Sequence, residues 1–191
     1  LRCAVSVSLE VDNMALSAFE TRLVASISEA MAKAIEQAIL TGTGKGQPTG
    51  ILNDTKKGES IAVKAIDYQT LVNAEADLPM EYENGAVWVM SKKTFMEFVG
   101  MTDTNGQPIA RVNYGMGGTP ERTLLGRRVV LTNSLPAYAS TLKTTDVFAM
   151  LYDFSDYTLN TNFEVGMKVY EDNDTDDIVR KSIMVCDGKP I

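Results

Sequence analysis

The sequence predicts an α+β protein with antiparallel sheets, and two observations carry that prediction. Apolar residues recur at every fourth position through a long early stretch, which indicates an amphipathic helix. Later segments, from about residue 147 onwards, have apolar residues at alternate positions, which is typical of strands with one buried face. Helices and antiparallel strands within one chain define the α+β class.

The first predicted element is a strand from Ala4 to Val11. The chain begins with Leu1-Arg2-Cys3, which is neither a signal peptide nor the start of a natural reading frame, so we expect a fragment of a longer protein. No stretch reaches the roughly 18 consecutive apolar residues of a membrane span, and no membrane partner is expected.

A long amphipathic helix is predicted from about Leu16 to Leu40. At about 1.5 Å per residue it would be roughly 35 to 40 Å long. Glu29 and Lys33 lie off the apolar stripe, in the favourable i, i+4 order for an ion pair. The stripe consists of Phe19, Leu23, Ile27, Met31, Ile35 and Ile39, widened by Ala30, Ala34 and Ala38. We expect this face of the helix to be buried.

The helix is followed by a glycine-rich loop, Thr41-Gly42-Thr43-Gly44-Lys45-Gly46-Gln47-Pro48-Thr49-Gly50-Ile51-Leu52. A phosphate-binding loop needs Ser or Thr after its Gly-Lys pair and lies between a strand and a helix, and neither condition holds here. The G-x-G-x-G spacing also fails the dinucleotide fingerprint. A helix that ends at these glycines points its carbonyls at the loop, which repels phosphate. The pattern favours a helix stop, in which Gly42 adopts the left-handed conformation and Pro48 prevents the helix from resuming.

Short elements are predicted through the middle of the chain. Ser91 is expected to cap a helix whose buried side carries Phe95, Phe98 and Val99. The predicted elements are a helix from Tyr68 to Leu78, a strand from Gly85 to Met90, a helix from Lys92 to Val99, a turn at Asp103-Thr104-Asn105-Gly106, a flexible loop from Tyr114 to Pro120, a strand from Arg127 to Thr132 and a loop from Asn133 to Leu142.

Four strands are predicted in the last part of the chain. They run from Val147 to Tyr152, Tyr157 to Asn160, Glu164 to Tyr170 and Ile178 to Cys186. The acidic segment Glu171-Asp172-Asn173-Asp174-Thr175-Asp176-Asp177 superficially resembles a calcium-binding loop. It fails the pattern because Asp177 stands where Gly is required and Ile183 where Glu is required. The segment is therefore predicted to be a solvated turn between two strands.

Composition and charge narrow the class of protein. With 191 residues, of which 45% are hydrophobic and 23% charged, the chain is long enough to bury a core in one or two domains. Its net charge is −7 and it contains no basic block, which disfavours a nucleic-acid-binding protein because such proteins use clustered Lys and Arg. An acidic lining along which DNA slides is compatible with this charge.

The chain has no histidine and only two cysteines. Ser-His-Asp triads, Cys-His pairs and the usual zinc sites therefore cannot be built. Carboxylate chemistry remains open in principle, but no motif indicates it, so we expect no catalytic, cofactor-binding or metal-binding residue. Cys3 and Cys186 lie near opposite ends of the chain, which favours buried free thiols over a disulfide, although the two could be neighbours in one sheet.

Five motifs, in order along nearly the whole chain, resemble the major capsid protein family of tailed bacteriophages. The first is the unit from Val5 to Leu52, in which a strand leads into a long helix and a glycine-rich loop that precedes Gln47-Pro48-Thr49-Gly50-Ile51. The others are the strand, helix and turn from Trp88 to Gly106, then Leu124-Leu125-Gly126-Arg127-Arg128-Val129-Val130, then Leu151-Tyr152-Asp153-Phe154-Ser155-Asp156-Tyr157, and finally Asp187-Gly188.

The resemblance implies the Hong Kong 97-like major capsid fold, which has a long spine helix, a peripheral domain and an inserted axial domain. The peripheral domain would comprise residues 1–62, with the spine helix at about 16–40, and residues 155–191. The axial domain would comprise residues 63–154, with loops 115–120 and 133–142 as candidates to crowd the axes of the capsomers. The family's N-arm and extended loop would belong to a missing N-terminal part.

The implied function is that of a structural subunit of an icosahedral phage or prophage shell, not an enzyme. Copies of the chain would form pentamers and hexamers that enclose double-stranded DNA without sequence-specific contacts, in a virion capsid assembled in the bacterial cytoplasm. Scaffold, prohead protease and portal proteins are the other implied partners. Some relatives link a Lys of the extended loop to an Asn on a late strand. Here the nearby positions are Arg180-Lys181-Ser182, so we expect mature shells without covalent links.

Three alternatives remain open from the sequence. An encapsulin-type compartment shares the fold but lacks the glycine-rich loop signature, and a neighbouring cargo-enzyme gene would favour it. A small-molecule enzyme is disfavoured by the missing histidine and the failed motifs. An interaction domain of unrelated fold would assemble no shell and would have no terminase, portal or protease gene beside it.

Overall fold

The structure is a computed structural model that describes residues 2–8, 17–55, 58, 60–63, 65–102, 107, 111–114, 120–139, 142–143, 145–175 and 177–191. For residues 8, 17–20, 111–114, 120–121 and 162–166 it describes the backbone only. The chain divides into two compact units. Unit 1 consists of Leu1–Lys57 and Tyr157–Ile191, and unit 2 consists of Gly58–Asp156. Unit 2 is therefore inserted into unit 1 along the chain.

Both units are built from helices and strands. In chain order they are β1 (Arg2–Ser8), α1 (Ser17–Thr41), α2 (Tyr68–Ala76), β2 (Val87–Met90), α3 (Lys92–Val99), β3 (Arg111–Tyr114), β4 (Pro120–Leu124), β5 (Arg127–Leu131), β6 (Ala149–Tyr152), β7 (Tyr157–Asp172) and β8 (Asp177–Pro190). Short 3-10 turns lie at Ile51–Asn53, Met80–Tyr82 and Phe154–Asp156. Among the described residues, no helix is both long enough and apolar enough to cross a membrane.

In unit 1 the helix α1 contacts an antiparallel sheet of order β1-β8-β7. Arg2 pairs with Ile183 at one end of the β1–β8 ladder and Ser8 pairs with Asp177 at the other. The two strands predicted at Tyr157 to Asn160 and Glu164 to Tyr170 are one strand, β7, because the chain absorbs two register irregularities between Thr161 and Gly166 without leaving the sheet. Strand β8 runs on to Pro190, and predicted residues 9–11 of the first strand lie outside the described residues.

The apolar stripe of α1 is only partly buried. Ile27 and Met31 are 2% and 3% exposed, but Leu23, Ile35 and Ile39 are half-buried and Ala30 is exposed. A repeat of four residues advances the helix by about 400°, so the stripe drifts by about 40° at each step and its ends turn away from the buried face. Leu40, which the stripe does not include, is 3% exposed although it lies about 180° around the helix from Met31. Phe19 and Leu16 carry no described side chain.

Unit 2 contains a five-stranded sheet of order β3-β4-β5-β2-β6. The prediction of antiparallel sheets is wrong here, because β2 and β5 are parallel, with Trp88 paired to Val129. After β2 the chain passes through α3 and the β3–β4 hairpin, and this long excursion lets β5 enter from the same end as β2. The core of the unit is a contiguous cluster of seven buried residues, namely Leu71, Trp88, Met90, Phe95, Phe98, Leu124 and Val129.

The middle of the chain matches its prediction unevenly. Helix α3 has the predicted limits, and Ser91 caps it by accepting a hydrogen bond from the Thr94 N–H. The hairpin strands β3 and β4 were missed because their largely polar residues show no clear alternation. As a result Tyr114 and Pro120, predicted as loop ends, are in fact a paired position. The turn at 103–106 and the loop tip at 115–119 lie outside the described residues.

Candidate functional site

Three sequence motifs that lie far apart in the chain meet around Thr49. The Thr49 N–H donates to the Gly188 carbonyl at 2.8 Å, and the Tyr157 hydroxyl donates to the Thr49 carbonyl at 3.1 Å. The Gly188 N–H in turn donates to the Asp187 carboxylate at 2.9 Å. We call this arrangement the glycine junction, and define it as residues Thr41–Asn53 together with Tyr157, Asp187 and Gly188. It fastens the loop after α1 to the first residue of β7 and to the C-terminal end of β8.

The loop folds back on itself through backbone hydrogen bonds. The Gly44 N–H donates to the Pro48 carbonyl at 3.3 Å, and the Gly50 N–H donates to the Gly42 carbonyl at 2.8 Å. The helix stop predicted at Gly42 is present, since α1 ends at Thr41. The predicted left-handed conformation of Gly42 is wrong, however, because the positive φ angles in this loop belong to Gly44 (72°) and Gly46 (70°).

Gly42 is required for a steric reason. A Cβ at this position would overlap the carbonyl oxygens of Pro48 and Ala38, and a Cβ on Gly50 would overlap the Gly42 nitrogen. The carbonyls at the end of α1 need no left-handed cap, because the Asn53 amide donates to the Thr41 carbonyl at 2.8 Å and to the Gly42 carbonyl at 3.1 Å. The sequence did not predict the capping role of Asn53, because Asn53 lies 12 residues after Thr41 in the chain.

The junction acts as a structural fastener and is not arranged as a phosphate cradle. The backbone N–H groups of Gly44, Thr49 and Gly50 already donate to carbonyls within unit 1. Burial raises the pKa of the Tyr157 phenol, and the nearby Asp187 carboxylate and Cys186 thiol raise it further. The phenol is therefore held in the protonated form that donates to Thr49.

The two cysteines lie in the same sheet but not beside each other. Cys3 is opposite Ser182 and Cys186 is opposite Thr161, so four positions of β8 separate them, or roughly 13 Å. This exceeds the separation of about 7 Å beyond which two Cα atoms cannot be bridged by a disulfide. Both thiols are free, and both are half-buried rather than fully buried as expected.

The acidic segment forms the predicted turn between β7 and β8. The Asp174 N–H donates to the Asp172 carboxylate at 3.1 Å, and the Thr175 N–H donates to the Asp172 carbonyl at 3.3 Å. Asn173, Asp174 and Thr175 are exposed. Within the part of the chain that the structure describes, no three Cys, Asp or Glu side chains are grouped as metal ligands would be. The expectation that the chain has no metal site stays a prediction.

In unit 2, hydrogen bonds from the Arg127 side chain anchor the start of β5. Leu125 and Gly126 have positive φ angles of 51° and 83°, as in the tight type I′ turn that joins two antiparallel strands. This turn aims Arg127 at Glu75 of α2, where its Nε donates to the carboxylate at 2.6 Å, and at the Glu83 carbonyl. The hydrogen bond to Glu75 raises the pKa of the Arg127 guanidinium.

The sheet of unit 1 leaves apolar side chains in solvent. Val169 is 58% exposed and Met167 is 38% exposed on β7, which is an edge strand, and Val185 is 55% exposed on β8. By the strand register, Met167 and Val169 share a face with Ser182 and Arg180, whereas Val185 lies on the opposite face, so Met167 and Val169 form the exposed apolar surface. Exposed apolar surfaces of this kind are typical of sites that bind another protein. This surface and the glycine junction are the two candidate functional features of the described chain.

Comparison with proteins of known structure finds the same fold in the capsid of a GTA particle and in chains of phages. The capsid of a native GTA particle matches with a TM-score of 0.78 and 20% sequence identity, over 100% of this chain and 68% of that chain. A chain of Mycobacterium phage Che8 matches with a TM-score of 0.65 and 16% identity, over 100% of this chain and 66% of that chain. A chain of Gordonia phage Cozz matches with a TM-score of 0.64 and 12% identity, over 98% of this chain and 64% of that chain.

The chain thus spans about two thirds of the length of the chains that it matches. Comparison with curated proteins finds no match. Comparison with protein families matches residues 1–191 to the family described as Phage capsid family. This match confirms the resemblance seen in the five motifs, and it confirms that the protein is structural and not an enzyme. The alternative hypothesis of an interaction domain with an unrelated fold is wrong, because the family match covers residues 1–191. The chain belongs to the phage capsid family and is a structural subunit of a virion capsid.

Proposed function

We propose that this chain is the shell-building part of an icosahedral capsid, in which copies assemble into pentamers and hexamers around double-stranded DNA. Residues 1–62 and 155–191 act as the peripheral domain, with α1 as its spine helix, and residues 63–154 act as the axial domain. The observation that carries this assignment is the path of the chain. Unit 1 is made of two distant segments and contains α1, and unit 2 is inserted between those segments.

The exposed apolar surface of unit 1 supports self-assembly. A shell is built from heterologous contacts that close by rotation, so each subunit must present surfaces that another copy covers. Val169 on one face of the sheet and Val185 on the other, each more than half exposed, would bury their side chains in such contacts. We expect the loops at 115–120 and 133–142 to approach the axes of the pentamers and hexamers.

The remaining partners follow from the same proposal. The net charge of −7 fits packaged DNA that makes no sequence-specific contact with the shell. A scaffold, a prohead protease and a portal protein act with the full-length subunit during assembly in the bacterial cytoplasm. No catalytic, cofactor-binding or metal-binding residue is required by this function.

Mature shells are proposed to lack covalent links between subunits. The segment Arg180-Lys181-Ser182 lies on β8, the central strand of the unit 1 sheet, where Arg180 is 5% exposed and Ser182 is 1% exposed. No asparagine is available in this segment for an isopeptide bond to a neighbour's lysine. Denaturing gels of mature particles should show a single band at the monomer, and a ladder of covalent oligomers would contradict the proposal.

The decisive experiment is negative-stain electron microscopy of the full-length parent protein, expressed with its neighbouring scaffold and protease. Closed shells of uniform diameter that contain DNA are the expected result. Val169→Glu should prevent shell formation, because it places a charge in the proposed contact. Thr158→Glu, at an exposed polar position of the same strand, is the matched control and should leave assembly intact.

Two results would contradict the proposal. A small monodisperse species under all conditions would show that the protein does not build shells. Shells that enclose a cargo enzyme and no DNA would favour the encapsulin-type compartment.

A further inference from the structure

We propose that Asn84 is a site of spontaneous deamidation in the folded protein. Asn84 and Gly85 lie in the exposed turn that follows the 3-10 turn Met80–Tyr82 and immediately precedes Ala86 and strand β2. The inference concerns the chemistry of this turn and does not depend on the proposed assembly. Its chemical class is an intramolecular attack followed by hydrolysis, and water is the only reactant needed.

The reaction balances without a cofactor. The Gly85 backbone nitrogen loses its proton and attacks Cγ of the Asn84 side chain, and the side-chain nitrogen leaves as ammonia. The product is a five-membered succinimide, which one water molecule opens at either of its two carbonyls. Opening at one carbonyl gives aspartate at position 84, and opening at the other gives isoaspartate, in which the main chain runs through the former side chain.

The fold keeps a glycine after Asn84, and glycine is the residue that obstructs this attack least. A Cβ at position 85 would overlap the carboxylate of Asp153, which packs directly over the Gly85 backbone. Any side chain at position 85 would therefore have to move the Asp153 carboxylate aside. Glycine leaves room for that carboxylate, and because it has no Cβ it also leaves the Gly85 nitrogen unshielded.

The hydrogen bond that the attack must break is weak. The Gly85 N–H donates to the Tyr82 carbonyl at 3.3 Å, and the Ala86 N–H donates to the same carbonyl at 3.1 Å. A bond of 3.3 Å lies beyond the usual range for N–H donors to oxygen. When it opens, the Tyr82 carbonyl still has Ala86 as a donor, so no buried acceptor is left unsatisfied.

Two other asparagines in the described chain, Asn53 and Asn73, are better protected. The Asn53 amide donates to the carbonyls of Thr41 and Gly42, which holds its Cγ in place. Asn73 lies within α2, where its side chain accepts a hydrogen bond from Gln69 at 2.9 Å and the next residue is Ala74. Selectivity for Asn84 over Asn73 is therefore expected, although both are exposed.

The product would change the charge and the geometry of the turn. A new carboxylate at position 84 adjoins Glu83 and the Asp153 carboxylate that lies over Gly85. The local field is already negative, because Asp156 raises the pKa of the Tyr82 phenol, with further contributions from burial and from Glu81 and Asp153. The isoaspartyl form also adds one carbon to the main chain before Gly85, two residues ahead of Ala86, which is 5% exposed at the entrance of β2.

Peptide mapping of the purified chain tests the proposal. The protein is held at 37 °C under native conditions at several pH values and then digested with trypsin. Residues 65–92 form one tryptic peptide that contains both Asn84 and Asn73, so Asn73 serves as an internal control. Tandem mass spectrometry should find a gain of about one dalton at Asn84 and none at Asn73.

The rate of deamidation at Asn84 should rise about tenfold for each pH unit, because the deprotonated fraction of the Gly85 amide rises tenfold. The second Asn-Gly pair, Asn105-Gly106, falls in a different peptide.

Two further measurements keep the proposal open to refutation. A protein isoaspartyl methyltransferase should label the aged protein but not the aged Asn84→Gln variant at this peptide, since glutamine forms the corresponding ring far more slowly. A synthetic peptide of residues 79–88 gives the unprotected rate. An Asn84 that stays intact in the folded protein while half of that peptide converts would overturn the proposal. It would equally be overturned if conversion occurred only in urea.

Discussion

Unit 1 and unit 2 are stabilised in different ways. Unit 2 encloses a contiguous cluster of apolar side chains in which Met90, Phe95 and Leu124 are completely buried. Unit 1 has no comparable cluster among its described residues, and its segments are fastened by hydrogen bonds at the glycine junction. Unit 1 also leaves Val169 and Val185 in solvent. Unit 2 therefore depends on its own core, whereas unit 1 combines a small core with backbone hydrogen bonds at the glycine junction and with surfaces suited to partners.

The largest effect is expected for Ile27→Asp in unit 1. Ile27 is 2% exposed, and an unpaired carboxylate there would lower the free energy of unfolding by about 4 kcal/mol or more. That loss is close to the total stability of many domains. Urea denaturation followed by circular dichroism gives the measurement. Val24→Asp, at a position that is 38% exposed on the same helix, should change it by less than about 0.5 kcal/mol. Equal melting temperatures for the wild type and Ile27→Asp would show that this helix face is exposed.

The second largest effect is expected for Phe95→Ala in unit 2. Phe95 is fully buried in the apolar cluster, so its truncation should cost about 3 to 5 kcal/mol through lost burial and a residual cavity. Met96→Ala, at a position that is 43% exposed, is the matched control and should cost less than about 1 kcal/mol. Amide hydrogen exchange should speed up in β2 and α3 and stay unchanged in β8. Equal acceleration in β8 would show that the two units unfold together and are not stabilised separately.

A moderate effect is expected for Gly42→Ala at the glycine junction. The new Cβ would overlap two backbone carbonyl oxygens, which cannot rotate away, so a loss of about 2 to 3 kcal/mol is expected. Gly46→Ala is the control, because its Cβ would enter open space and the cost arises only from its positive φ of 70°, at about 1 kcal/mol. Thermal unfolding of both variants gives the comparison. A more severe loss for Gly46→Ala would refute the steric role of Gly42.

The smallest effect is expected for Tyr157→Phe, at about 1 kcal/mol, because one hydrogen bond to the Thr49 carbonyl is lost. The effect should depend on pH. Since the folded state raises the pKa of the Tyr157 phenol above its ordinary 10.0, the folded state holds this proton more tightly than the unfolded state. The associated stability is complete below pH 10 and is lost as the pH rises through the folded pKa. Wild type and Tyr157→Phe should therefore converge in stability above pH 10, and a constant difference would contradict this.

Local rules predicted the elements whose causes are local. The Ser91 cap and the limits of α3 follow from side chains within one turn of the helix, and the turn at Asp172 follows from a carboxylate that accepts from a neighbouring N–H. The end of α1 was also predicted closely, since Gly42 ends the apolar pattern.

Features that depend on distant parts of the chain were not predictable in this way. The parallel pairing of β2 with β5, and the strands β3 and β4, are stabilised by partners elsewhere in the sheet and not by their own residue pattern. The steric need for Gly42 and the capping by Asn53 exist only because the loop folds back. In the candidate site, each motif was recognised separately, but the contact of Thr49 with Gly188 and Tyr157 required the fold.

The pairing of β1 with β8 sets the order in which the protein can fold during synthesis. Arg2 must wait for Ile183 and Ser8 for Asp177, whereas all of unit 2 leaves the ribosome earlier. At about 5 to 20 residues per second, the delay between the synthesis of β1 and that of β8 is on the order of 10 to 30 s. The surfaces of unit 1 that suit another copy therefore form only after the last strand is made, so a nascent chain has little opportunity to assemble prematurely.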